Sequence, residues 1–103
     1  MEETVTPHFK GGDGTTAMRT FNDGQNKIMM GRLDVGCSIG YHTHETSSET
    51  ILILSGEARI ITEKGEEVLQ AGQCHYCAKH SSHSMINNSR TQPLTYFAIV
   101  PEQ

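Results

Sequence analysis

The sequence has no tryptophan, only three prolines and three cysteines, and no block of positive charge. Each scarcity excludes something. Lysine and arginine number 8 against 12 acidic residues, for a net charge of −4. Without a basic cluster, nucleic acid and anionic membrane are poor partners. No apolar run approaches the roughly 20 residues that cross a bilayer as a helix. The opening residues "MEETVTPHF" are acidic and lack the apolar core of a secretory signal. The expectation is a cytoplasmic protein. No repeat of solenoid length and no low-complexity segment occurs.

An odd number of cysteines without a signal argues against a disulfide framework. Cys74 and Cys77, in "CHYC", have the spacing of a redox pair. That pair needs a turn opening a helix, whereas the flanks here read as a turn entering a strand. Positions i and i+3 of a strand face opposite ways, so one disulfide or one metal cannot easily take both. Cys37, Cys74 and Cys77 are expected as buried structural thiols.

What is present is a β pattern. A chain of 103 residues is one domain. Residues 1–26 are rich in Gly, Thr, Asn and Asp and read as a lead-in, with one short edge strand near Ala17–Phe21. Residues 27–103 form the main body. Strands are expected at Lys27–Asp34, Tyr41–Glu45 and "TILILSG", then a hairpin "EARIITEKGEEVLQAG", then "HYCA", "HSMIN" and "LTYFAIV". Turn signals every 8–12 residues with no long helical period argue for an all-β sandwich or barrel. Met29, Met30 and Met85 read as core filler, and Phe97 and Ile99 as barrel wall.

The chemistry lies in "GYHTHETSSE", residues 40–49. On a strand, His42 and His44 point the same way, about 6–7 Å apart at their Cα atoms. Two imidazoles so placed can reach one metal ion, while Tyr41 and Thr43 face away. If the strand starting at Glu49 runs antiparallel beside the first, its carboxylate faces the same ion. Ile51 and Ile53 then share the inward face, and Leu52 and Leu54 the outward one. His83, after a turn and before an apolar alternation, is the natural fourth ligand. An isolated H-x-H pair usually means nothing; here it sits in a longer arrangement. Three imidazoles and a carboxylate suit one divalent transition metal (Mn, Fe, Co, Ni, Cu or Zn) and disfavour Ca and Mg. They also leave positions open for a ligand.

The spacing resembles the first motif of the cupin superfamily, G-x5-H-x-H-x(3,4)-E-x6-G, with Gly36, His42, His44, Glu49 and Gly56 all in place. Of the second motif, G-x5-P-x-G-x2-H-x3-N, Gly72, His83 and Asn87 match. Ala78 replaces the proline and His80 the second glycine, so His80 must tolerate that glycine's backbone. The resemblance covers residues 36–87. It implies a double-stranded β-helix, a jelly-roll barrel, with metal on His42, His44, Glu49 and His83. It implies turns at Gly36, Gly56 and Gly72, a structural Asn87, and pairing into homodimers. The stretch "GCSIGYHTHETSSETILILSGEARI" looks like small bacterial single-domain cupins called oxalate-decarboxylase-like or mannose-6-phosphate-isomerase-like. Fold does not fix function. Oxalate decarboxylation goes with a second domain and a lid carboxylate that are not seen here.

The expected function is metal-dependent lyase, isomerase or dioxygenase chemistry on a small carboxylate, keto acid or sugar acid in the lumen. A non-catalytic sensor and a purely structural metal are the alternatives. For a general acid or base the candidates are His75 and His80, which flank the strand carrying His83, and, more weakly, Tyr41 and Glu45. A solvated or hydrogen-bonded histidine is the plainer reading of the first two.

Overall fold

The computed structural model describes residues 2–103. Among them lie ten strands: β1 (Glu3–Pro7), β2 (Thr15–Asn22), β3 (Asn26–Leu33), β4 (Ser38–Thr43), β5 (Glu49–Ser55), β6 (Glu57–Thr62), β7 (Gly65–Gln70), β8 (Cys74–Cys77), β9 (Ser82–Asn87) and β10 (Leu94–Pro101). They form two antiparallel sheets, one ordered β1-β2-β3-β10-β5-β8 and the other β4-β9-β6-β7. This is the all-β jelly-roll arrangement that the turn spacing and the motif resemblance predict.

Strand alternation builds the core. On β10, Leu94, Tyr96 and Ala98 are buried while Thr95, Phe97 and Ile99 point outward. Ile51 and Ile53 of β5 face inward, as expected, and Leu54 is exposed. Each buried aliphatic side chain of this kind contributes about 1.5–3 kcal/mol. Tyr96 fits because its register partner on β3 is Gly31. A Cβ at Gly31 would stand only 2.2 Å from the tyrosine ring.

Several details differ from the expectations. Met30 is 45% exposed, because Met29, Gly31 and Leu33 take the inward positions of β3. Phe97 and Ile99 form the outside of the wall. Cys74 is exposed while Cys77 and Cys37 are buried, since the i and i+3 positions of β8 do face opposite ways. The segment before residue 27 supplies two strands, and β1 rather than β2 is the sheet edge. Strand propensity there is masked by glycine and polar residues.

A 3-10 turn, Phe9–Gly11, follows β1 and packs on β4. Two glycines permit that approach. A Cβ at Gly12 would meet the Ser38 carbonyl oxygen at 2.1 Å, and one at Gly40 the Lys10 carbonyl oxygen at 2.0 Å. The turn thereby becomes part of the wall at one end of the barrel.

Candidate metal centre

β4 does not span Tyr41–Glu45. It begins at Ser38 and ends at Thr43, and its pairing with β9 slips once. Ile39 pairs with Met85 and His42 with His83, so β4 advances three residues while β9 moves two. This is a β-bulge at Gly40–Tyr41. Bulges re-aim side chains, and the effect here is specific. Without the slip, Ile39 and His42 would face opposite ways. With it, both face the lumen, and Tyr41 is turned out, 53% exposed.

His44 lies one residue past β4 but stays tied to the loop before β9, its N–H donating to the Ser81 carbonyl. The chain then bends, and Glu49 starts β5. Contrary to the adjacency supposed from sequence, β4 and β5 are not neighbours. β5 lies between β10 and β8 in the other sheet, so Glu49 reaches the histidines across the lumen.

The structure brings His42, His44, Glu49 and His83 together, with one potential ligand atom from each lying within 4.8 Å of the others. His44 Nε2 is 3.0 Å from His83 Nε2 and 3.1 Å from Glu49 Oε1. His83 Nε2 is 2.9 Å from the same oxygen. At ligand distances of about 2.1 Å, adjacent ligands of an octahedral ion sit about 3.0 Å apart and those of a tetrahedral ion about 3.4 Å. Separations of 2.9 to 3.1 Å are short enough for the three atoms to share one ion. The residues present can therefore hold a divalent transition metal.

The surroundings favour a neutral His42 beside an ionised Glu49. His42 Nδ1 lies 2.7 Å from the Gly40 carbonyl. A carbonyl only accepts, so Nδ1 carries the proton and Nε2 keeps its lone pair. Burial pushes the His42 pKa down, outweighing the bond to Gly40, and the neighbouring His83 and His44 push it further. Burial would raise Glu49, but hydrogen bonds from His44 and His83 prevail and hold it at about 2.

The cluster opens on a cavity of about 430 Å³. Its wall includes Phe9, Lys10, Met18, Met29, Ile51 and Tyr96. The Tyr96 hydroxyl is buried without a hydrogen-bond partner, and burial pushes its pKa up.

Tyr41, His75 and His80 do not line this cavity. His80 is exposed in a turn at φ 74°, the left-handed conformation expected from its place at the family's glycine. Glu45 reaches the cavity rim, because β4 stops before alternation can turn it away. His75 is hydrogen-bonded, as the plainer reading had it, and not solvated. It is buried on β8, 3.0 Å by its Nε2 from His83 Nδ1, with its own Nδ1 2.8 Å from Glu67 Oε1. Sequence reasoning overlooked Glu67. The usable signal was a broken alternation, with Glu67 sharing the inward face of β7 with Leu69, and His75 that of β8 with Cys77.

Asn87 has the structural place the motif implies. It is buried, and its Nδ2 donates to the carbonyls of Leu33 and Gln92 at 2.9 and 3.0 Å. Gly36, Gly56 and Gly72 all turn the chain at positive φ.

Two facing antiparallel sheets with a His/Glu cluster between them define a jelly-roll barrel with a candidate metal centre. Residues 29–100 match the family model described as Cupin domain. The chain belongs to the cupin family. Similar solved structures include a predicted oxalate decarboxylase from Thermotoga maritima, with TM-score 0.93 at 22% identity, covering 100% of this chain and 94% of that one. A sugar phosphate isomerase of the cupin superfamily from Silicibacter pomeroyi gives TM-score 0.76 at 18% identity over 85% of this chain and 60% of that one. A cupin protein from Bacteroides fragilis gives 0.73 at 20%, over 82% and 75%. No curated protein matches. At these identities the structures establish the shared fold alone. No helix among the described residues is long and apolar enough to cross a membrane.

Proposed function

We propose that the protein is a metal-dependent cytoplasmic enzyme acting on a small oxygen-rich metabolite, a carboxylate, keto acid or sugar acid, with His42, His44, Glu49 and His83 as metal ligands. The observation that carries this reading is the near-equilateral triangle of His44 Nε2, His83 Nε2 and Glu49 Oε1, 2.9 to 3.1 Å on a side, at the inner end of a cavity. A cation between them would take a lone pair from each. A divalent metal bound there supplies Lewis-acid polarisation of a substrate oxygen.

The chain's own groups do the rest. Gly40 fixes the tautomer of His42, and the Ser47 hydroxyl, 3.2 Å from His44 Nδ1, steadies the second ring. Met18, Met29 and Ile51 exclude water from the wall. The Tyr96 hydroxyl, buried beside Gly31, keeps its proton and is not a base. A cavity of about 430 Å³ admits a small metabolite and little more.

Metal analysis of the purified protein is the first test, and no stoichiometric transition metal would sink the reading. A turnover screen over keto acids, uronic acids and phosphosugars is the second. Tight binding without product across that panel would instead identify a metal-dependent sensor.

The reading includes a homodimer. The outer face of the six-stranded sheet carries Phe21, Ile28, Met30, Leu52, Phe97 and Ile99 in adjacent rows. Phe21, Met30 and Ile99 are 50%, 45% and 36% exposed. A contiguous apolar face marks an interface more often than a free surface. A second copy related by a two-fold axis would lay one such face on the other.

A further inference from the structure

His83 is the end of a hydrogen-bonded chain that runs away from the cavity. Its Nδ1 is 3.0 Å from His75 Nε2, and His75 Nδ1 is 2.8 Å from Glu67 Oε1. His75 is buried, while the Glu67 side chain is half exposed. The three come from different places: β9 in the four-stranded sheet, β8 at the edge of the six-stranded sheet, and β7 at the edge of the four-stranded one. Glu67 sits opposite Ile60, which is fully buried, so its carboxylate lies on the inward side of β7.

The polarity of this chain is determined by its ends. A neutral imidazole has one N–H and one lone pair. An ionised carboxylate only accepts, so His75 must point its Nδ1–H at Glu67. The opposite tautomer would set a nitrogen lone pair against a carboxylate oxygen at 2.8 Å. His75 Nε2 is then an acceptor, and it accepts from His83 Nδ1. With a cation bound, His83 Nε2, 2.9 Å from Glu49 and 3.0 Å from His44, would turn its lone pair to the ion instead of a proton to the carboxylate.

We propose that Glu67 and His75 are positioning residues that lock the tautomer and orientation of His83 and so raise the metal affinity of the cluster. The inference rests on the metal reading above. Outer partners of ligating histidines commonly contribute 10–100-fold in metal affinity. The pair here is unusual in placing a second imidazole between ligand and carboxylate, which carries the constraint from a surface strand to a buried ring.

The test is zinc affinity, measured by competition with a chromogenic chelator, for the wild type and for E67A, E67Q and H75F. Glu67 is half exposed, so E67A keeps its fold even if the buried H75F does not. E67A and H75F should weaken zinc binding by about 10–100-fold. E67Q keeps a side-chain carbonyl able to accept from His75 and should stay within about threefold of wild type, a rescue that simple packing would not give. Nitrogen-15 NMR of the zinc-loaded protein should show His75 as the Nδ1–H tautomer, and a mixture in E67A. Folded E67A that binds zinc within twofold of wild type, with His75 unchanged, overturns the proposal. A wild type that binds no metal removes the metal reading itself, and is distinguished by failing before any variant is compared.

Discussion

His83 Nε2 and Glu49 Oε1 are 2.9 Å apart although their strands, β9 and β5, belong to different sheets. A cation held by both would tie the sheets together across the lumen. Chelation should therefore lower the melting temperature. At free metal about 100-fold above Kd the linkage is worth about 2.7 kcal/mol, which shifts the midpoint of a domain this size by roughly 10 °C or more. Scanning calorimetry with and without chelator checks it. Glu49→Gln and His83→Ala should lose bound metal and show no chelator effect.

Asn87 joins the end of β9 to two other segments through the carbonyls of Leu33 and Gln92. Asn87→Ala strands both acceptors in a buried site, at about 1–3 kcal/mol for each group left unsatisfied. Urea denaturation should show a loss of about 2–4 kcal/mol. A loss under 0.5 kcal/mol would mean that water replaces the amide freely.

Gly31 is needed for the ring of Tyr96, not for its own backbone conformation. Gly31→Ala puts a methyl group inside the ring's space and should cost about 1–3 kcal/mol by overpacking. Tyr96→Leu in the same chain should recover part of that loss. Additive losses in a double-mutant cycle would refute the contact.

Cys74 and Cys77 should differ in reactivity. Cys74 is exposed, whereas burial raises the Cys77 thiol to about 11. A raised thiol pKa leaves little thiolate at neutral pH, and the fraction grows only as pH rises toward 11. At pH 8 a maleimide should label Cys74 in the folded protein and reach Cys77 only after denaturation. Comparable labelling of both in native buffer would contradict the burial of Cys77.

On the outer face of the large sheet, Met30 occupies the middle of the apolar rows. If the proposed homodimer forms, Met30→Asp should convert it to monomer in light scattering and leave the fold intact by circular dichroism. A monomeric wild type would refute the proposed pairing.

The elements that sequence revealed most clearly were those with a local signal. β3, β5, the β6–β7 hairpin and β10 are apolar runs bounded by turn signals, and their strands fall within a residue or two of expectation. The four clustered residues were legible because their spacing is that of a family motif. What stayed hidden depends on tertiary partners. The pairing of β4 with β9, and the bulge that turns His42 inward, leave no local mark beyond Gly40. The separation of β4 from β5 is a matter of topology, which two adjacent strand-like segments do not specify. Glu67 went unremarked and His75 stood only as an acid or base candidate, because their pairing across β7 and β8 has no local mark. Met30 was misplaced because two consecutive methionines in a strand cannot both face inward, and nothing local says which does.

The turn at Phe9–Gly11 adds a division of labour. The four clustered residues lie within the span 29–100 that matches the family, while Phe9, Lys10, Met18 and the β2–β3 turn form much of the cavity wall from outside it. The rest of the wall, Met29, Ile51 and Tyr96 among it, comes from within that span. Substitutions at residues 9 and 10 should therefore reshape the wall while the inner cluster stays intact.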